Sequence, residues 1–212
     1  RLSVAAAIHG PAAREPDDRI RQHPAAAGDP RGQAARDQGA NAVLIAAHTT
    51  LQPPPGVRVV DVQSAEDMKT AVFAECKDAD VLIMAAAVAD WRPTNKSKSK
   101  LKKEDKTSLS IELERTDDIL AEISSDNLVK VGFAAESENL LENARKKIAS
   151  KKLDLIVAND ITLEGSGFGS DTNKVTLIDS QENISELGLM SKYEVGCKIL
   201  RRVASFLENK PV

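Results

Sequence analysis

From about residue 40 onward, short β-branched apolar runs alternate with stretches whose apolar residues recur at helical spacing, and this alternation constrains the fold more than any other feature. The runs cover residues 42–46, 57–62, 81–86, 129–133, 153–158 and 175–178. Residues 64–75, 117–124, 137–151 and 191–207 read as helices, with Leu140, Leu141, Ala144 and Ile148 giving the period and Ser64 and Ser137 predicted as N-caps. Apolar runs parted by helices predict an α/β, Rossmann-like fold, a mainly parallel sheet with helices on both faces. A chain of 212 residues with 42% hydrophobic content fills one core, so a single domain over 1–212 is expected. The first 40 residues break the composition: they hold eleven Ala, four Pro and six Arg, and the first lysine is Lys69. Residues 1–38 are therefore read as an atypical N-terminal segment.

In a doubly wound sheet the ligand lies beyond the carboxyl ends of the strands, so the segments after each apolar run are the ones to read for chemistry. Residues 84–93, Met-Ala-Ala-Ala-Val-Ala-Asp-Trp-Arg-Pro, end a buried run in small side chains and then place Asp90 and Trp91 past it. Small residues let a ligand approach the backbone, and Asp90 can hold Mg²⁺ or a hydroxyl; an Ala-rich strand end with a capping Asp is the plainer reading. Residues 96–103 carry five lysines in eight positions, enough to neutralise a triphosphate, although such a run also makes an ordinary solvated loop. Lys147 and Lys151 share a helical face, where an anion would relieve their repulsion and where a helix C-terminus would also favour cations. Phe133 follows Gly132 at another strand end, available to stack on a base or to fill the core.

Several function classes fall away. Net charge −3 gives no general attraction to nucleic acid or to an anionic membrane, and no apolar run of membrane-spanning length occurs. Cys76 and Cys197 lack metal-ligand spacing and fit a reducing cytoplasm as core residues. The Gly-rich stretch 165–173 lacks phosphate-loop spacing and precedes a strand, so it reads as a hairpin-type loop. No HExxH, GxSxG or CxxC pattern is present, and His9, His23 and His48 cluster with nothing, which excludes the zinc and serine hydrolase readings.

Taken in order, AAAVADWRP (85–93), KLKK (100–103), TDDILAEI (116–123), VGFAAE (131–136), ARKKIASKKLDLIVAND (144–160), GFGSDTNKV (167–175) and SK (191–192) resemble phosphopantothenoylcysteine synthetase over residues 39–207. The resemblance implies a two-step ligation in coenzyme A biosynthesis. CTP activates the carboxylate of 4′-phosphopantothenate as an acyl-cytidylate, and cysteine then displaces CMP. It implies that Met84, Ala85 and Ala86 line the nucleotide, that Asp90 serves the nucleotide or its Mg²⁺, and that Lys100 acts at the reacting phosphate. Asp117, Asp118, Ile119, Leu120, Phe133, Lys147 and Lys151 complete the nucleotide pocket by the same likeness, and a cytoplasmic homodimer is implied.

The N-terminal part departs from the family. Arg14-Glu15-Pro16 matches its Arg-Glu-Pro turn, but Ala25 stands at the position of the family's catalytic Asn, in place of an Asn-x-Ser-Ser-Gly-Lys loop. These residues hold no counterpart of the flavoprotein decarboxylase domain that bacterial members often carry ahead of the synthetase. Two alternatives follow: a CTP-binding homologue that no longer ligates, and a dinucleotide-binding reductase of similar fold, which would need the GxGxxG that is absent.

Overall fold

The computed structural model describes residues 2–9, 30–49, 52–95, 108–125, 127–136, 138–160 and 170–208. Eight strands among them form one sheet, in the spatial order β3 (Arg58–Val62), β2 (Asn41–Ala47), β1 (Ser3–His9), β4 (Val81–Met84), β7 (Val129–Glu136), β8 (Leu155–Asp160), β10 (Val175–Asp179) and β11 (Ile184–Glu186). The pairs from β3 across to β8 are parallel, and β10 and β11 add an antiparallel edge. Two short ribbons stand apart, β5 (Trp91–Pro93) with β6 (Leu113–Arg115) and β9 (Thr172–Asn173) with β12 (Met190–Ser191).

Five helices cover both faces: α1 (Pro30–Asp37), α2 (Ala65–Glu75), α3 (Ile119–Glu122), α4 (Leu140–Lys151) and α5 (Lys192–Glu208). The period of two along each strand sorts the core into two layers. Val4, Ala6, Leu44, Val81, Ile83, Val129, Val131, Leu155 and Val157 face α1 and α5, with Ala34, Val195, Ile199 and Val203 packed on them. Ala5, Ala7, Ile45, Leu82, Met84, Ile156 and Ala158 face the other way, against Met68 and Val72 of α2, Ile119 and Leu120 of α3, and Ala144 of α4. Gly196 lets α5 lie close on α1, since a Cβ there would come within 3.1 Å of the Ala34 Cβ.

Every expected apolar run is a strand, and α2 starts as expected: the Ser64 side chain accepts from the Asp67 N–H while the Asp67 carboxylate accepts from the Ser64 N–H. The N-cap of α4 is Asn139, left-handed at φ 51° and without a side-chain capping bond, while Ser137 lies outside the described residues. The expected helix at 117–124 shrinks to the single turn α3. Within the segment read as atypical, residues 3–9 form the central strand and residues 30–37 form α1. Cys76 is buried, with its thiol pushed up to about 11 by that burial, and Cys197 packs half-buried against the first layer.

Gly132 marks the tightest contact of the second layer. A Cβ there would sit 2.7 Å from Leu153 Cδ1 and 3.2 Å from Leu120 Cδ2, both on buried side chains. Gly132→Ala is expected to cost about 1–3 kcal/mol by overpacking. Urea unfolding measures that loss, and an unchanged midpoint would show that the Leu120 and Leu153 side chains yield freely.

Candidate functional site

The strand order reverses between β1 and β4, and in doubly wound sheets the binding crevice opens at the carboxyl ends of the strands flanking such a reversal. Met84 ends β4 and is buried, and Ala85 and Ala86, half-buried, continue past it. The Ala85 N–H donates to Ala7 O at 2.9 Å, which carries the β1–β4 pairing one residue beyond β4. On the next strand Gly132 is level with Met84, which brings the Phe133 backbone alongside Ala85.

Beside this end of β4, on the face covered by α2, α3 and α4, lies a run of ion pairs. Arg92 of β5 reaches Glu66 of α2 at 3.0 Å and Glu114 of β6 at 2.8 Å, pinning the ribbon to the helix. Lys69 of α2 sits 2.7 Å from both Asp117 and Glu122. Its hydrogen bond to Asp117, then that to Glu122, holds its ammonium above the ordinary lysine range, and the Asp117 carboxyl is held low by the same bond. Asp118 uses one oxygen to cap α3, accepting from the Ala121 N–H at 3.1 Å, and the other to meet the Lys151 ammonium at 2.9 Å. Beneath them Lys130, 5% exposed, donates to backbone carbonyls of both α3 and α4.

The fold therefore brings Asp117, Asp118, Ile119, Leu120 and Lys151 together, with Met84 and Leu120 in one core layer and Lys147 one turn before Lys151. Asp90, exposed, opens the ribbon, and its carbonyl accepts from the Thr116 N–H at 2.9 Å, one residue ahead of Asp117. The Phe133 ring is on the other face. It packs with the α1 and α5 layer, and the Arg31 guanidinium lies 6.0 Å from its centroid. The ring is thus separated by the sheet from the charged residues, because it shares the parity of Val129 and Val131. Among the described residues no three His, Cys, Asp or Glu gather as a metal site. Lys100, the 100–103 motif, Arg14-Glu15-Pro16, Ala25 and residues 161–169 lie outside the described residues.

Lys69 and Lys130 escaped the sequence reading. Lys69 had no signal, since its partner Asp117 is 48 residues away. Lys130 had one: a single ammonium inside the otherwise apolar run 129–133 has to find partners once buried.

The model of the DNA/pantothenate metabolism flavoprotein C-terminal domain family matches residues 15–207. The chain is 43% identical over 176 residues to the coenzyme A biosynthesis bifunctional protein CoaBC of Bacillus subtilis, covering 82% of this chain and 43% of that protein. It thus spans less than half the length of that relative. The crystal structure of the C-terminal domain of a CoaBC protein superposes with a TM-score of 0.75 at 34% identity, over 99% of this chain and 97% of that one. A mutant of Cab2 in complex with phosphopantothenate-cysteine shares the fold at a TM-score of 0.70 and 12% identity, over 98% of this chain and 86% of that one. With the family model matched over residues 15–207 and the fold shared with the C-terminal domain of CoaBC, the chain belongs to the family of the DNA/pantothenate metabolism flavoprotein C-terminal domain.

Proposed function

We propose that this chain is a CTP-dependent ligase that joins 4′-phosphopantothenate to cysteine in coenzyme A biosynthesis. The observation that carries the reading is the junction of the β4 end, the 117–120 segment and Lys151 at the sheet's reversal point, in a fold and family shared with the C-terminal domain of CoaBC. Small residues at 85–87 leave the backbone open to the nucleotide, and the 117–120 segment borders it on the α3 side. In the first step a carboxylate oxygen of 4′-phosphopantothenate attacks the α-phosphorus of CTP and pyrophosphate leaves. In the second, the cysteine amine attacks the acyl carbon and CMP leaves. Negative charge grows on the phosphates in the first step, and cations fixed beside it lower that barrier.

Lys147 and Lys151 are assigned to the β- and γ-phosphates, with Lys151 exchanging Asp118 for phosphate. Phe133 contributes its backbone next to Ala85, not its ring. Mg²⁺ would neutralise charge on the triphosphate, and Asp90 with the phosphates would hold it; a lone exposed carboxylate suits an ion that keeps most of its waters. The chain is assigned to the cytoplasm and to a homodimer. Trp91, Leu109, Ile111 and Leu113, all more than half exposed on or beside the β5–β6 ribbon, provide an apolar surface for self-association. Leu113→Asp is then expected to weaken the dimer in sedimentation, and unchanged association would move the interface elsewhere.

The test is pyrophosphate release from CTP in the presence of 4′-phosphopantothenate, followed by detection of the amide after cysteine is added. Release without amide would favour a chain that activates but does not ligate, the outcome that Ala25 makes specific. Lys151→Ala is expected to weaken CTP about tenfold, or 1.4 kcal/mol, and CMP far less. Calorimetry with both nucleotides decides it, and equal losses would place Lys151 away from the β- and γ-phosphates.

A further inference from the structure

Lys130 carries a buried ammonium that, among the described residues, pairs with no carboxylate. Its Nζ donates to Lys151 O at 2.7 Å and Ile123 O at 2.9 Å, with Leu120 O further off at 3.4 Å. Lys151 is the last residue of α4, and Ile123 is the C-cap of α3. Helix C-termini leave carbonyls without intrahelical partners and carry partial negative charge, so one ammonium here caps two helices at once. The backbone beneath is held just as closely: the Lys130 N–H donates to Asp154 Oδ2 at 2.7 Å and the Asp154 N–H returns to Lys130 O at 3.0 Å. Burial holds the ammonium below the ordinary lysine range, Asp154 offsets part of that, Lys152 adds to it, and Asp118 offsets a little more.

These bonds close a ring. Lys130 Nζ holds Lys151 O, the Lys151 ammonium holds Asp118, Asp118 caps the start of α3, and Ile123 O at its end returns to Lys130 Nζ. A single turn such as α3 does not persist on its own propensity. Its two ends are fixed by Asp118 and Lys130, and both tie it to α4. We infer that Lys130 is a positioning residue of the nucleotide site, setting the distance between the 117–120 backbone and Lys151 without touching the nucleotide; the inference rests on the CTP reading above.

Lys130→Met keeps the length and removes the donors. It is expected to weaken CTP about tenfold while, in the Lys151→Ala background, it changes CTP affinity by less than twofold, because both act through one ring. Losses that multiply, or full affinity in a folded Lys130→Met protein, would overturn the inference. Hydrogen exchange of the unliganded protein gives a readout that needs no nucleotide: the Ala121, Glu122 and Ile123 amides should exchange at least tenfold faster in Lys130→Met, with strand amides of β4 and β8 unchanged. Uniform acceleration, or none, also overturns it. If Lys130→Met fails to fold, Lys130→Gln, neutral, one atom shorter and with two N–H donors in place of three, replaces it in both measurements, with smaller losses in the same pattern expected and the same results overturning the inference. If the unsubstituted chain binds no CTP, the ligase reading fails and the nucleotide-site role falls with it, while the exchange pattern alone decides whether Lys130 positions α3 on α4.

Discussion

Lys100→Gln is expected to slow pyrophosphate release on the order of 10²-fold or more, the scale on which losing one electrostatic stabiliser acts, while CTP affinity changes less. Lys100 lies in the sequence between β5 and β6, ten residues beyond Asp90, and Arg92 fastens both strands of that ribbon to α2 through Glu114 and Glu66. The strands that flank the lysine-rich segment in sequence are therefore anchored on α2. A cation brought in from that base meets phosphate oxygens as their charge rises, so its effect falls on turnover more than on ground-state binding. Lys98→Gln is the control and should be nearly silent. Similar losses at both positions would make the segment a diffuse source of charge, and no loss at either, in a chain that ligates, would remove Lys100 from the chemistry.

Asp179→Ala is expected to cost about 3 kcal/mol, the largest stability effect assigned to a single side chain here. The residue is 3% exposed at the end of β10, and its carboxylate accepts from the Gln181 N–H at 3.0 Å, the Asn183 N–H at 2.9 Å and the Asn183 side chain at 3.0 Å. It also pairs with Arg202 of α5, so it joins the β10–β11 turn to the helix. Burial raises its pKa, but the bonds from Asn183, Arg202 and Gln181 together outweigh burial and bring it below the ordinary 3.8. A carboxyl depressed on folding stabilises fully above its unfolded pKa, and the contribution disappears as pH falls through the folded value. Urea unfolding should therefore show a loss of stability below about pH 3.8 that Asp179→Asn, already weakened at pH 7, largely lacks. A variant as acid-sensitive as the parent would place that titration on other carboxylates.

Where the chain runs Val-Leu-Ile-Met or Leu-Ile-Val-Ala, the strand was legible, because β-branched and aliphatic side chains suit a sheet covered on both faces. β1 was not. Its Ala5, Ala6 and Ala7 have low strand propensity, and they form a strand because β2 and β4 pair with it on both sides while helices cover both faces. The candidate site residues came from the resemblance, and what the sequence could not provide was their pairing. Lys69 with Asp117 and Lys151 with Asp118 meet through the topology, at separations no local period reaches. The face of Phe133 could have been read: alternation sets it with Val129 and Val131, opposite Lys130, Gly132 and Ala134.

The central place of β1 also dictates an order of assembly. β1 precedes in sequence both of the strands that flank it, and Ser3 makes its bond to Asp80 across 77 residues. Until β4 emerges, β1 can pair on one edge only, and the two core layers it feeds through Val4, Ala5, Ala6 and Ala7 stay open. Such non-local parallel pairing folds slowly because loop closure precedes its reward. Refolding from denaturant should accordingly lag behind the helical turns of α5, whose backbone hydrogen bonds are local, and the nascent chain carries β1 with one edge open until β4 has emerged.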